Sequence, residues 1–202
     1  VEGKKSVIEV INSDLSVQSV FATEQFLALN PIEYKNITQI TKLQSEQISS
    51  FSTAPEIYAL VSIPKVEIFD SQLFDKILLL DGVRDAGNLG TIIRIADWFN
   101  IDAIVCSNDS VELYNPKTLQ SSMGSFTRKK VFYSNLKEFI QSNNNYTYYG
   151  TFMTGKPLKE ISFDNRVAIV LGSESHGIST ELQSLLQHRI AIPLVNNCQK
   201  NT

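Results

Sequence analysis

The stretch Lys76-Ile77-Leu78-Leu79-Leu80-Asp81-Gly82-Val83-Arg84-Asp85-Ala86-Gly87-Asn88-Leu89-Gly90 decides the fold. It opens on a continuous apolar run, the pattern of a strand buried on both faces. The run stops at Asp-Gly, and apolar residues at helical spacing take over from Leu89 to Phe99. The same alternation continues downstream. Asp102–Cys106 and Lys130–Tyr133 read as strands, and so do Tyr146–Thr151, Val167–Leu171 and Arg189–Ile192. Helices are predicted over Pro116–Met123, from Asn135 to Ser142, and over Ser179–Gln187. Asn115 and Asn135 stand where N-caps are needed, and Glu138 follows Asn135 at capping-box spacing. Apolar strands alternating with helices imply an α/β fold with a mostly parallel sheet covered on both faces.

Upstream the pattern is shorter. Ser6–Ile11 has helical spacing, Ser16–Thr23 and Asn36–Ile40 are strand-like, Lys42–Phe51 suits a short surface helix, and Tyr58–Ile63 is an apolar β-rich run. A stretch with Pro64 and several charges follows. The expected organisation is a small α/β domain over 1–63, a linker over 64–75 and a parallel-sheet domain over 76–202.

The 202 residues carry 18 Lys and Arg against 21 Asp and Glu, a net charge of −3, which excludes a uniformly basic coat for nucleic acid. The charge is unevenly spread. From Leu113 to Lys137 there is no acid, while Lys117, Arg128, Lys129, Lys130 and Lys137 interleave with Tyr114, Phe126, Phe132 and Tyr133. Such a run is commonly a solvated face, and the sharper reading is contact with a phosphate backbone. No run of about 18 apolar residues is present to span a membrane. Cys106 and Cys198 are too few for a disulfide framework or a closed zinc site, so no metal is expected and the expected compartment is the reducing cytoplasm.

Ligands of open α/β sheets bind beyond the carboxyl ends of strands. Three loops qualify. Asp81–Gly90 has glycines for tight turns and a helix start that offers unpaired N–H groups, with Arg94 one turn further on. Gly150-Thr151-Phe152-Met153-Thr154-Gly155-Lys156-Pro157 nearly matches a phosphate loop but has Pro157 where the metal-binding Ser or Thr belongs. Leu171-Gly172-Ser173-Glu174-Ser175-His176-Gly177-Ile178-Ser179 offers a backbone cradle and one carboxylate; His176, without a recognisable partner, reads as a surface histidine.

Taken together these loops resemble the SpoU-type RNA 2′-O-ribose methyltransferases of the SPOUT superfamily. Asp85-Ala86-Gly87-Asn88-Leu89-Gly90-Thr91-Ile92-Ile93-Arg94 is similar to that family's Asn-x-Gly-x-x-x-Arg motif, with Ala86 where a Pro is frequent. Gly172–Gly177 resembles its Gly-x-Glu-x-x-Gly motif, and Ile190-Ala191-Ile192-Pro193 the start of its last one. Asn115-Pro116-Lys117 and Ser122-Met123-Gly124 also look familial, and Val1-Glu2-Gly3-Lys4 resembles the entry to an L30e-like RNA-binding domain. The family pattern continues into Ser-Leu-Asn and a C-terminal helix, whereas this chain reads Leu194-Val195-Asn196-Asn197-Cys198 and stops at Thr202. The expectation is a sequence trimmed at both ends.

The resemblance implies an L30e-like N-terminal domain, a SPOUT domain with a C-terminal trefoil knot incomplete in this chain, and a homodimer. It implies methylation of a ribose 2′-hydroxyl in structured RNA from S-adenosylmethionine, with ribosomal RNA ahead of transfer RNA. Asn88, Arg94 and Glu174 would be the catalytic residues. Thr151, Phe152, Met153, Leu171, Gly172, Gly177, Ile192 and Pro193 would line the cofactor loops. The basic Lys117, Arg128, Lys129 and Lys130 would track the RNA. The competing reading is an RNA-binding protein that retains the fold without the activity.

Overall fold

The computed structural model describes residues 1–65 and 67–192. Contacts group the chain into two compact units interleaved along the sequence. The first comprises Val1–Ile68, Arg84–Asn100 and Val111–Lys130; the second comprises Phe69–Val83, Ile101–Ser110 and the chain from Val131 onward.

The first unit starts with α1 (Lys4–Ile11), β1 (Val17–Thr23), α2 (Glu24–Leu29), β2 (Ile37–Ile40), α3 (Lys42–Ile48) and β3 (Ile57–Val61). Its sheet has the order β2-β1-β3, with β2 parallel and β3 antiparallel to β1. Val7 of α1, Phe26 of α2 and the inward strand residues Val20, Ala22, Ile57 and Ala59 form its core. Helix α2 was not anticipated. Its six residues are too few for a periodic signal, and Thr23 caps it by accepting from the Phe26 N–H at 3.2 Å. The capping box of α3 is present, with Thr41 and Gln44 bonding reciprocally.

Two further helices belong to this unit, α4 (Ala86–Trp98) and α5 (Pro116–Ser122). They approach closely at Gly90, where a Cβ would stand 2.5 Å from the Thr118 carbonyl oxygen. A cluster of charges joins α4 to α1. Arg128 donates to Asp97 through Nε at 2.9 Å and Nη2 at 2.8 Å, and its Nη1 pairs with Glu9.

The second unit is built on a parallel sheet of order β6-β5-β4-β8-β7-β9. The strands are β4 (Lys76–Asp81), β5 (Ala103–Ser107), β6 (Lys130–Ser134), β7 (Thr147–Pro157), β8 (Val167–Gly172) and β9 (His188–Ala191). The pairings β4/β5, β4/β8, β8/β7 and β7/β9 all run parallel. Ile77, Leu79, Ala103, Val105, Ala168 and Val170 share a core with Leu136, Phe139 and Ile140 of α6 (Leu136–Ser142), and with Ile178 and Leu182. Leu78, Leu80, Ile104 and Cys106 at the alternate positions are buried as well. The two-sided burial read from the apolar strands is therefore present.

The segment entering β4 is firmly held. The Tyr146 hydroxyl donates to the Phe74 carbonyl at 2.5 Å, and Arg166 donates to the same oxygen at 3.0 Å while lying over the Tyr146 ring. Phe69 packs against Phe74, Phe132 and Phe139.

Two elements of the second unit differ from expectation. β7 does not end at Thr151 but runs on to Pro157, and its register with β9 jumps between Thr151 and Lys156. The near-phosphate-loop sequence is thus a bulged strand and not a loop. The helix expected over Ser179–Gln187 is only α7 (Thr180–Gln183); the Gln187 N–H instead donates to the Tyr148 carbonyl, which starts the chain toward β9.

Candidate active site

In the sheet of the second unit, β4 lies between β5 and β8, and the chain leaves β4 in one direction and returns on the other side. Such a switch point opens a crevice at the carboxyl ends of its strands. Asp81 ends β4 opposite Gly172 of β8. Its carboxylate accepts from the Ser179 N–H at 2.7 Å. The next residue, Gly82, has φ +71, and its N–H donates to Ser107 Oγ at 2.8 Å. Ser107 Oγ in turn donates to Asp109 at 2.7 Å. Composition and motif gave no sign of this Asp81, Ser107 and Asp109 set; an acid or hydroxyl at the last residue of consecutive parallel strands is the signal that marks it.

The loop after β8 closes on itself. Ser173 and Gly177 exchange backbone hydrogen bonds of 3.1 and 2.9 Å, and Ser173 Oγ accepts from the His176 N–H at 3.2 Å. A Cβ on Gly172 would collide with the backbone of Gly177 and Ile178, so no side chain fits there. Gly177 takes φ +67, with open space where a side chain would project. Ile178 is buried in the core and Ser179 is tied to Asp81, so the cradle is anchored at its far side. Glu174 stands exposed at the tip, and His176 is a surface residue whose Nδ1 bonds Ser175 Oγ at 2.7 Å.

The expected cofactor residues fall on the neighbouring strand ends. Leu171 and Gly172 close β8, and Thr151 on adjacent β7 donates to the Val170 carbonyl at 3.0 Å. Phe152 and Met153 form the β7 bulge. Phe152 packs on the core under the Arg189 guanidinium, 3.7 Å from the ring centroid, and Met153 is 90% exposed. Ile192 follows β9 and is also exposed. Pro193 and the expected knot lie outside the described residues.

Asn88 and Arg94 belong to the first unit, on α4. Asp85 caps this helix by accepting from the Asn88 N–H at 2.9 Å. Its second oxygen accepts from Lys117 Nζ at 2.9 Å. Those two interactions, the lysine first, hold the Asp85 carboxyl below the usual range. Arg94 is exposed on the third turn of α4.

The four expected RNA-contacting residues all have acidic partners. Lys117 pairs with Asp85, Arg128 with Asp97 and Glu9, and Lys130 with Glu67 at 2.5 Å. Lys129 lies 3.9 Å from Asp97, with only 10% of its side chain exposed. Burial raises the Asp97 carboxyl, but hydrogen bonds from Arg128 and Ser125 outweigh it and the net effect is a lowered pKa. The run that reads as a free basic face is locally neutralised by acids distant in sequence. Lys137 likewise pairs with Glu181 at 2.6 Å.

A separate cleft of about 910 Å³ lies in the first unit, lined by Thr23, Gln39, Thr41, Lys42 and Glu46 among others. It contains none of the expected catalytic, cofactor-binding or RNA-contacting residues. Among the described residues no cluster of His, Cys, Asp or Glu is placed to hold a metal ion, and no helix is long and apolar enough to cross a membrane.

A parallel sheet with a glycine-built cradle at its switch point defines a small-molecule-binding α/β protein, and comparison narrows the class. The SpoU rRNA Methylase family model matches residues 75–199, and the chain belongs to that family of RNA methyltransferases. The 23S rRNA (guanosine(2553)-2′-O)-methyltransferase RlmP of Bacillus subtilis is 27% identical over 205 residues, covering 98% of this chain and 81% of that protein. A 23S rRNA (uridine(2479)-2′-O)-methyltransferase of Streptomyces viridochromogenes is 23% identical, covering 84% of this chain and 63% of its own length. Among solved structures, a putative RNA methyltransferase of the TrmH family from Porphyromonas gingivalis superposes with a TM-score of 0.84 at 28% identity, over 100% of this chain and 82% of that one. The SpoU methyltransferase AviRb from S. viridochromogenes, in complex with AdoMet, shares the fold with a TM-score of 0.80 at 17% identity, over 100% and 83% of the two chains.

Proposed function

We propose that this protein transfers a methyl group from S-adenosylmethionine to a ribose 2′-hydroxyl of ribosomal RNA. The observation that carries the reading is the closed cradle from Gly172 to Gly177, built at the sheet's switch point in a chain of the SpoU family. The names of the relatives from B. subtilis and S. viridochromogenes support ribosomal RNA as the substrate, and the AviRb complex supports the methyl donor.

The residues present fit such a cofactor. The cradle admits no side chain at Gly172 and leaves open space beside the Cα of Gly177, whose N–H and C=O are both engaged with Ser173. Leu171, Gly172, Gly177, Thr151, Phe152, Met153 and Ile192 would hold it, with Pro193 beyond the described residues. Backbone N–H and C=O groups there read a flat heterocycle without a glycine-rich nucleotide motif. When bound, S-adenosylmethionine supplies an electrophilic methyl group on a sulfonium.

The chain's own residues supply placement. Asn88, at the first turn of α4, would hydrogen-bond the target ribose. The Arg94 guanidinium would anchor the adjacent phosphate and stabilise the developing alkoxide, leaving proton removal to phosphate or water. Glu174 at the cradle tip would orient neighbouring polar groups. Residues 1–63 would recruit the RNA as an L30e-like domain, and the protein would act as a cytoplasmic homodimer.

The test pairs calorimetric binding of S-adenosylmethionine with transfer of a labelled methyl group to a 23S rRNA transcript, followed by mapping of the 2′-O-methyl site. Binding and transfer are expected. RNA binding without either would make this a recognition module that keeps the fold alone.

A further inference from the structure

Lys117 stands in the basic stretch, where a phosphate contact is the natural reading. Its surroundings say otherwise. Asn115 caps α5 and accepts from the Lys117 N–H at 3.0 Å, which sets the lysine at the start of that helix. From there its ammonium reaches across 32 residues of sequence to Asp85 Oδ2 at 2.9 Å. The other oxygen of the same carboxylate accepts from the Asn88 N–H. Gly87 lies under both groups. A Cβ there would stand 2.9 Å from Asp85 Oδ1 and 3.2 Å from Lys117 Cε, so the lysine stem packs against the glycine backbone and closes over the first turn of α4.

We infer that Lys117 is a positioning residue that holds Asp85 on the Asn88 amide and so fixes the first turn of α4 for methyl transfer. The inference rests on the methyltransferase reading for its kinetic consequence, but not for its structural one. A carboxylate engaged at both oxygens is confined to one rotamer, and each bond is charge-assisted. With the ammonium gone, the carboxylate keeps the cap but gains freedom to rotate away from it. A displacement well under an ångström at a group that contacts the reacting ribose costs rate without costing affinity.

The test is a double-mutant cycle of Lys117→Met and Asp85→Asn. Methionine keeps the stem that covers Gly87, and asparagine keeps a capping oxygen. Each single variant and the double are expected to lower kcat by about tenfold, an effect the size of one lost positioning interaction, and not additively. KM for RNA and the slope of log Kd against log salt should stay at wild-type values, and Lys117→Arg should restore the rate. A salt slope reduced by about 0.7 to 0.9 with kcat unchanged would make Lys117 a phosphate contact and overturn the inference. So would additive losses in the double variant. Hydrogen exchange at the Asn88 amide gives a readout independent of catalysis. Protection should drop in Lys117→Met while the exchange of β1 and β3 amides is unchanged; equal protection in both proteins sinks the inference. A wild-type protein that transfers no methyl group, with the Asn88 amide still losing protection in Lys117→Met, would refute the functional reading and leave the clamp standing.

Discussion

Gly172 tolerates no side chain, because the Cβ of even an alanine would occupy the space of the Gly177 and Ile178 backbone. Replacing it forces the cradle open rather than merely crowding it, since the obstacle is the Gly177–Ile178 peptide and not a flexible side chain. Gly172→Ala is therefore expected to abolish calorimetric binding of S-adenosylmethionine while the far-ultraviolet circular dichroism of the protein stays unchanged. Retention of wild-type affinity would show that the cradle is not where the cofactor binds. Asp81 acts on the same loop from outside it. Its carboxylate receives the Ser179 N–H at 2.7 Å and ties the end of the cradle to β4. A hydrogen bond to a charged acceptor contributes about 1.5–3 kcal/mol, so Asp81→Ala should weaken cofactor binding by about tenfold or more. Asp81→Asn retains an acceptor oxygen and should recover most of that loss. Equal affinities in all three proteins would show that the loop holds its shape without this bond.

At the scale of the elements, α4 and α5 meet backbone to backbone at Gly90, and the contact buries Thr118 completely. Its Oγ1 finds no hydrogen-bond partner among the described residues. A buried hydroxyl without a partner costs about 1–3 kcal/mol, and valine fills the same volume without it. Thr118→Val should raise the denaturation midpoint in urea, by about 1 kcal/mol in stability, with kcat retained. A destabilised variant would mean that the hydroxyl is satisfied in solution. The elements also show what a sequence makes legible. The strands β4, β5 and β8 could be read directly, because burial on both faces leaves an unbroken apolar run in each. The turns after β4 and β8 were equally readable, because only glycine meets their backbone demands. The length of β7 was not. Its last residues pair with β9 across a register jump, a relation between distant segments that has no local trace. Helix α7 was overestimated for the same reason, since Gln187 is recruited by the Tyr148 carbonyl rather than by its own helix. The basic run was legible only in part. Its charges are visible in sequence, but Glu9, Glu67, Asp85 and Asp97, which neutralise them, are brought in only by folding.

For the molecule as a whole, that neutralisation changes what the net charge of −3 means for an RNA-binding protein. Arg128 is the clearest case. It bonds Asp97 through two nitrogens and Glu9 through a third, joining α1 to α4 inside the first unit. These bonds, those to Asp97 foremost, hold the guanidinium even more firmly in its charged form. Asp97, only 20% exposed, has the complementary lowered pKa, so the folded state binds its proton less readily than the unfolded chain. Its stabilising contribution is present above the unfolded carboxyl pKa of about 3.9 and is lost as pH falls through the lower folded value. Arg128→Met removes the charge and leaves two acids facing each other. Stability at neutral pH should fall by about 1 kcal/mol, and part of the acid-side loss expected of the wild type should disappear, because Asp97 loses the strongest of the interactions that lower its pKa. RNA affinity at fixed salt, measured where both proteins are folded, should be unchanged. The salt slope should be unchanged too, because a guanidinium already held by two carboxylates releases no counterion when RNA arrives. If instead the slope drops by about 0.7 to 0.9 and stability stays at the wild-type value, the ion pairs give way to phosphate on binding, and the stretch from Lys117 to Lys130 is the RNA track after all.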